Sequence, residues 1–137
     1  MRTAIVMDTC CKYEITKSSS VLEIDCGEGR DSKTMLEEGY NLMPSDVSSE
    51  AIAYCKKLML DYEDKFCVLD CLSNDLNSKF DFIFSVAVIH MLVQDDDRKG
   101  FYNFVHKHLG ENGIALICAM GDGETMMQSD IANAFIL

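Results

Sequence analysis

The sequence holds a single proline, Pro44, and no tryptophan in 137 residues. With one proline there is no proline-rich linker, and no low-complexity segment or internal repeat takes its place. Basic residues are also scarce: 12 Lys plus Arg face 23 Asp plus Glu, a formal charge of −11 with no basic cluster. Such a chain repels a phosphodiester backbone, so no nucleic-acid partner is expected. Long apolar runs are missing too. The start, MRTAIVMDTCC, has only four apolar residues in a row before Asp8, too few for the core of a secretion signal. The longest apolar stretch, 82–93, is interrupted by Ser85 and His90 and is too short to span a bilayer. A cytoplasmic protein without membrane association is expected.

Cysteine is not scarce, but its pattern is. Cys10, Cys11, Cys26, Cys55, Cys67, Cys71 and Cys118 make an odd count without a C-x-x-C pair, and the histidines offer no ligand spacing. Reduced thiols used as small core residues are expected, with no metal site and no disulfide.

At 48% hydrophobic residues, a chain of this length can bury one core, so residues 1–137 are expected to form a single domain. Strand-like and helix-like segments alternate. The first strand is read at 20–24, followed by a helix at 31–38 that stops at Gly39. A second strand spans 40–47, and Ser48 caps a helix with Glu50 in its first turn and Ala51, Ile52, Cys55, Leu58 and Met59 on one face. The third strand is FCVLD at 66–70, and the fourth, FDFIFSVAVI at 80–89, is apolar almost throughout, as a strand covered on both faces must be. The next helix opens with the acids Asp95, Asp96 and Asp97 and buries Phe101, Phe104, Val105 and Leu109. Gly110 and Gly113 lead into a fifth strand at 114–120, then come a GDGE loop and a helix to Leu137. This pattern predicts an α/β fold, a Rossmann-like doubly wound sheet of five parallel strands, with ligand at their carboxyl ends.

Those ends carry Asp25, Gly27 and Gly29 after the first strand, Asp46 after the second, Asp70 after the third, and Ser85 with His90 around the fourth. Glycines allow a ligand close to the backbone, and an acid at the next strand end can accept from a ribose diol. A nucleoside ligand fits both features. A dinucleotide wants a third glycine, whereas Gly27-x-Gly29 is followed by Ser32. Its phosphates would also meet Glu28, Asp31, Asp46 and Asp70, acids that attract a cationic nucleoside instead.

In order along the chain, VLEIDCGEGRDS, SDVSSEAI, VLDC, FDFIFSVAVIHML and LGENGIALICAMGDGE resemble the motifs of the class I S-adenosylmethionine-dependent methyltransferases. The resemblance implies that Glu23, Asp25, Cys26, Gly27 and Gly29 shape the pocket for the methionine part of S-adenosylmethionine. It further implies that Asp46 holds the ribose hydroxyls and Val47 packs on the adenine, while Asp70 accepts from the adenine amino group and Cys71 offers its backbone. Ser85 and Val86 would line the pocket near the sulfonium, and His90 would face the acceptor and serve as general base where one is needed. The GRDS flank is similar to that of small-molecule methyltransferases, including the tellurite-resistance and thiopurine-type groups, which implies a small soft nucleophile as acceptor. A degenerate module that binds S-adenosylmethionine without transferring methyl groups is the alternative; a nicotinamide oxidoreductase is disfavoured by the missing glycine.

Other polar residues are expected to be structural. His106 and His108 are read as solvated, Asp95 to Asp97 as a capping feature, and Asp122 with Glu124 as a surface loop or a substrate contact. Three departures from the family pattern carry further expectations. Asp25 stands at a motif glycine, which requires a backbone angle that Asp tolerates. Pro44 falls in a central strand and predicts a bulge or a shortened strand. The family's last two strands are not readable, which suggests a truncated chain. Strand five would then be an exposed apolar edge, prone to pairing with a second copy in a homo-oligomer.

Overall fold

A run of strand-forming residues flanked by a turn recurs along this chain, and each instance becomes a strand of one sheet. The computed structural model describes residues 2–86, 92–118 and 134–136. Helix α1 spans Arg2–Lys12, strand β1 Ser20–Ile24, helix α2 Arg30–Glu37, strand β2 Asn41–Asp46 and helix α3 Ser49–Leu58. A 3-10 segment, Leu60–Lys65, leads to strand β3, Cys67–Val68, and then to strand β4, Phe80–Val86. Helix α4, Asp95–His108, strand β5, Leu109–Cys118, and strand β6, Ala134–Ile136, complete the order. The strands lie as β3-β2-β1-β4-β5-β6, and β1 to β5 are parallel. The chain starts at the centre, winds to one edge and returns to wind to the other, so the direction reverses between β1 and β4.

Right-handed crossovers place the two windings on opposite faces. On one face Val6 and Cys10 of α1, Met35 and Leu36 of α2, and Ile52 and Cys55 of α3 pack on Val21, Leu42, Phe82, Phe84 and Leu116. On the other face Phe101, Phe104 and Val105 of α4 cover Leu22, Ile24, Ile83, Ala115 and Ile117. Adjacent strand residues therefore serve different cores, and β4 is buried at every position but Asp81. Ser48 caps α3 as expected, its hydroxyl accepting from Ala51 N–H at 3.1 Å. Asp95, Asp96 and Asp97 form the first turn of α4.

Several expectations are corrected. Pro44 causes no bulge: β2 pairs with β1 in unbroken register through Glu23↔Pro44. Alternation explains why. The Asp46 carbonyl accepts from Leu69 N–H on the β3 side, so Pro44, two residues earlier, presents its missing donor to that same side. There β3 begins pairing only at Ser45↔Cys67, so no ladder bond is lost. Strand five starts at Leu109, where Leu109 already pairs with Phe80, and Gly110 to Gly113 form an irregularity within it rather than a turn before it. Asn112 has φ +66 there, and a Cβ on Gly113 would lie 3.0 Å from the Phe80 carbonyl. Nor is β5 the edge of the sheet. Leu116↔Ile136, Ile117↔Phe135 and Cys118↔Ala134 pair antiparallel, so 134–136 is a strand where a helix was expected. The fourth buried residue of α4 is His108, not Leu109, and His108 is buried rather than solvated. His106 is exposed, as expected. Helix α1 had no sequence reading at all.

Candidate functional site

Beyond Ile24 the chain leaves the sheet in a tight turn over residues 25–29. Asp25, Gly27 and Gly29 all have left-handed backbones, with φ of 65°, 57° and 83°. Asp is among the few side chains that visit this region, which is why it can replace glycine at the first position. The turn closes through Gly29 N–H to the Cys26 carbonyl, and Cys26 N–H reaches the Ser45 carbonyl of β2, each at 2.9 Å. A Cβ on Gly29 would lie 2.7 Å from Met59 Cε and 3.0 Å from Cys55 Sγ, so only glycine lets the turn rest on α3. Among the described residues a Cβ on Gly27 would meet nothing within 4 Å, leaving that side of the loop clear of them.

Asp46, at the end of β2, joins this turn to the next helix. Its Oδ2 accepts from Gly27 N–H and its Oδ1 from Ser48 N–H, each at 2.9 Å. A carboxylate oxygen has two acceptor directions, so each retains one for a ligand hydroxyl. Glu23, buried within β1, accepts from the Ser32 hydroxyl of α2 at 2.5 Å, and its carbonyl accepts from the Ser45 hydroxyl at 2.7 Å. Asp70, just past β3, folds a turn about itself. Its Oδ1 accepts from Leu72 N–H and its Oδ2 from the Ser73 hydroxyl, both at 3.0 Å, while its own N–H donates to Asn74 Oδ1 at 2.9 Å.

The field around these groups is negative, and the thiols register it. Burial holds the Cys26 thiol far above the ordinary thiol range, and the Glu23 charge adds to the effect, with Cys55 and Asp46 contributing less. Cys71 is pushed up to about 11, first by burial and then by the Asp70 charge, with a smaller push from Asp25. Cys55 is raised mainly by burial. An anionic ligand would meet this field unfavourably and a cationic one favourably.

The structure brings Glu23, Asp25, Cys26, Gly27, Gly29 and Asp46 to one corner of the sheet. Cys71 and Asp70 stand near enough for the charge of Asp25 to act on the Cys71 thiol. Val47, next to Asp46, is 63% exposed, an apolar side chain facing outward at the site's rim. Ser85 is aligned with Ile24 in the β1–β4 pairing, and Val86 ends β4. The Ser85 hydroxyl is buried and has no hydrogen-bond partner among the described residues. His90 lies outside the described residues, as do Asp122 and Glu124. Among the described residues no His, Cys, Asp and Glu group could hold a metal ion, and no helix is long and apolar enough to cross a membrane. Two residues of the site had no functional reading in sequence. Ser32 carried a signal, since it stands on the first turn of α2, directly after the glycine turn. Cys55 carried none beyond its place on the apolar face of α3.

This geometry, a glycine turn after the first strand tied to an acid at the end of the second, is that of a nucleoside-binding α/β fold. A family profile described as a methyltransferase domain matches residues 21–113, and the chain belongs to that family. Among solved structures, an S-adenosylmethionine-dependent methyltransferase from Clostridium acetobutylicum is similar with a TM-score of 0.75 at 19% identity, over 85% of this chain and 48% of that one. A TehB-like methyltransferase from Corynebacterium glutamicum aligns with a TM-score of 0.70 at 25% identity, over 88% of this chain and 62% of that one. The glycopeptide N-methyltransferase MtfA, complexed with S-adenosylhomocysteine, aligns at 0.72 and 25% identity, over 88% and 49%. The chain thus spans about half the length of the clostridial enzyme and of MtfA, 48% and 49%. No curated protein matches it in sequence.

Proposed function

We propose that this chain binds S-adenosylmethionine in the corner between the glycine turn and Asp46 and takes part in methyl transfer to a small-molecule acceptor. The observation that carries the reading is the Asp46 carboxylate, fixed by Gly27 and Ser48 N–H groups with one acceptor direction left on each oxygen. Membership of the methyltransferase-domain family supports it, as do the complexes of MtfA with S-adenosylhomocysteine and with S-adenosylmethionine.

The residues present fit such a cofactor. Asp46 would accept from the ribose hydroxyls and exposed Val47 would pack on the adenine. Asp70 would accept from the adenine amino group, and Cys71 would offer its backbone. The open side of Gly27 would give the methionine part room, and the Ser85 hydroxyl, without a partner among the described residues, would offer a polar contact at the β4 end. The acids Glu23, Asp25, Asp46 and Asp70 favour a ligand carrying ammonium and sulfonium charge. Glu23 is already engaged by Ser32, so its part is to hold the start of α2 beneath the turn.

S-adenosylmethionine, when bound, supplies a methyl group already activated on its sulfonium. What remains for the protein is to hold the acceptor in line and exclude water, a contribution of about 7–11 kcal/mol in favourable cases. A base is required only where the acceptor must lose a proton, and His90 is the residue proposed for it. The acceptor proposed is a small, soft nucleophile, on the likeness of the GRDS flank.

Titration calorimetry with S-adenosylmethionine, S-adenosylhomocysteine and NAD tests the reading. Saturable binding of both sulfur nucleosides without NAD binding is the expected result. NAD binding alone, or no binding of either sulfur nucleoside, would overturn it. Methyl transfer to a panel of small thiols and amines then tests the acceptor class.

A further inference from the structure

We infer that Cys55 is a positioning residue for the glycine turn: its thiol orients Gly27, and through it the surface offered to the cofactor. The inference rests on the cofactor reading above for its consequence, but not for its geometry.

Gly27 is the least sterically restrained residue of the turn. It has no side chain, its φ is 57°, and a Cβ placed on it would touch nothing within 4 Å among the described residues. Hydrogen bonds must therefore set its orientation, and two are made from opposite sides. Its N–H donates to Asp46 Oδ2 at 2.9 Å, and its carbonyl accepts from the Cys55 thiol at 3.3 Å. A thiol has one hydrogen. With that of Cys55 directed at Gly27, the hydrogen bond between the two sulfurs is donated by Cys26. The chain Cys26 S–H to Cys55 Sγ and Cys55 S–H to Gly27 carbonyl begins and ends in the turn itself, with α3 supplying only the middle member.

Burial gives this weak donor its leverage. Cys55 is fully buried and Cys26 nearly so, and water does not compete with a thiol there. The same sulfur stands 3.0 Å from where a Gly29 Cβ would be, so one side chain supports both glycines. Helix α3 is itself fixed to the site, because Asp46 Oδ1 accepts from Ser48 N–H and the Ser48 hydroxyl accepts from Ala51 N–H. Gly27 is thus held by its N–H to the strand end before α3 and by its carbonyl to the second turn of α3. A change at Cys55 reaches the cofactor surface through Gly27, with no contact of its own required.

The test compares Cys55→Ser, Cys55→Val and Cys55→Ala with the parent chain in three measurements: amide hydrogen exchange at Gly27 and Gly29, affinity for S-adenosylhomocysteine, and the urea midpoint. Serine keeps a donor, valine keeps volume without one, and alanine keeps neither. Losing the hydrogen bond in valine and alanine is expected to speed Gly27 exchange by about tenfold relative to the amides of β1, and to weaken affinity by about the same factor. Serine is expected to stay within about twofold of the parent in both. A valine variant that matches the parent in exchange and affinity would overturn the inference, as would a serine variant that behaves like alanine. If alanine unfolds, the serine and valine pair still decides the matter. If the parent does not bind the nucleoside, the cofactor reading falls while exchange at Gly27 still tests the positioning role.

Discussion

Gly29 and Gly39 both have left-handed backbones, φ +83° and +90°, yet only Gly29 is pressed against another element. This contrast allows backbone strain to be separated from steric contact. Alanine at either position must adopt a conformation that costs an L residue about 1–2 kcal/mol. At Gly39 nothing lies within 4 Å of the new Cβ, so that cost is the whole effect. At Gly29 the Cβ would also meet Met59 Cε at 2.7 Å and Cys55 Sγ at 3.0 Å. Overpacking of this kind costs about 1–3 kcal/mol, here toward the lower end because Cε is the far end of a flexible chain. Gly29→Ala should therefore lose about 2–4 kcal/mol against about 1–2 for Gly39→Ala. With a urea slope of about 2 kcal/mol/M, the midpoint falls by about 1–2 M in the first case and about 0.5–1 M in the second. Adding Met59→Ala to Gly29→Ala should recover part of the difference, which a double-mutant cycle measures. Equal midpoint losses at the two glycines would refute the claim that the turn rests on α3. No loss at Gly39 would refute the strain argument itself.

Three other outcomes follow from named groups. Burial raises the thiols of Cys10, Cys26, Cys55 and Cys71 above their usual 9.0. The unfolded chain therefore loses these protons first. Stability should be full below pH 9 and fall as pH climbs toward the Cys71 value of about 11, by up to about 1.4 kcal/mol per pH unit for each thiol; a urea midpoint unchanged between pH 8 and 10 would contradict this. His108 is buried, accepts from Leu76 N–H at 2.9 Å through Nε2 and so donates to the Phe104 carbonyl through Nδ1, at 2.8 Å. His108→Phe keeps a ring on Phe104 but strands Leu76 N–H, and should lose about 1–3 kcal/mol in urea unfolding, whereas Lys107→Ala, which breaks only the exposed pair with Asp75, should leave the midpoint unchanged. Asp25→Gly removes a side chain and a charge from the turn; the room gained is expected to outweigh the lost attraction for the ligand's ammonium and to tighten S-adenosylhomocysteine binding in calorimetry, whereas weaker binding would show that the attraction is the larger effect.

Local chemistry accounts for what the sequence made visible. β4 is apolar at nearly every position because both its faces are covered, and Ser48 announced α3 because a cap acts within one turn. The acids at the strand ends could be placed because in a parallel sheet every strand end faces the same way, so Asp25, Asp46 and Asp70 must meet. What was not visible depends on distant partners. His108 looked solvated because one of its two partners is Leu76, 32 residues earlier in the chain. Pro44 looked disruptive because the short length of β3 cannot be read from Pro44's own neighbourhood. Helix α1 is rich in β-branched residues and has no acid in its first turn, so its stability comes from Val6 and Cys10 packing on the sheet. The β5–β6 pairing joins segments that share no local signal.

In the role proposed for it, Asp46 would serve structure and ligand together. Both its oxygens accept backbone N–H groups, one from the turn and one from the start of α3, so its orientation is fixed before any ligand arrives. Its remaining acceptor directions then require no side-chain ordering on binding, which spares about 0.5–1.5 kcal/mol of the usual entropy loss. An acid free to rotate would be equally charged but less well aimed. The same two bonds make the arrangement vulnerable, because removing the carboxylate also releases Gly27 N–H and Ser48 N–H. A substitution at Asp46 should therefore disturb the turn and the α3 cap even in the absence of cofactor. Loss of ligand binding there cannot be assigned to the ribose contact unless exchange at Gly27 and Ser48 is measured beside it.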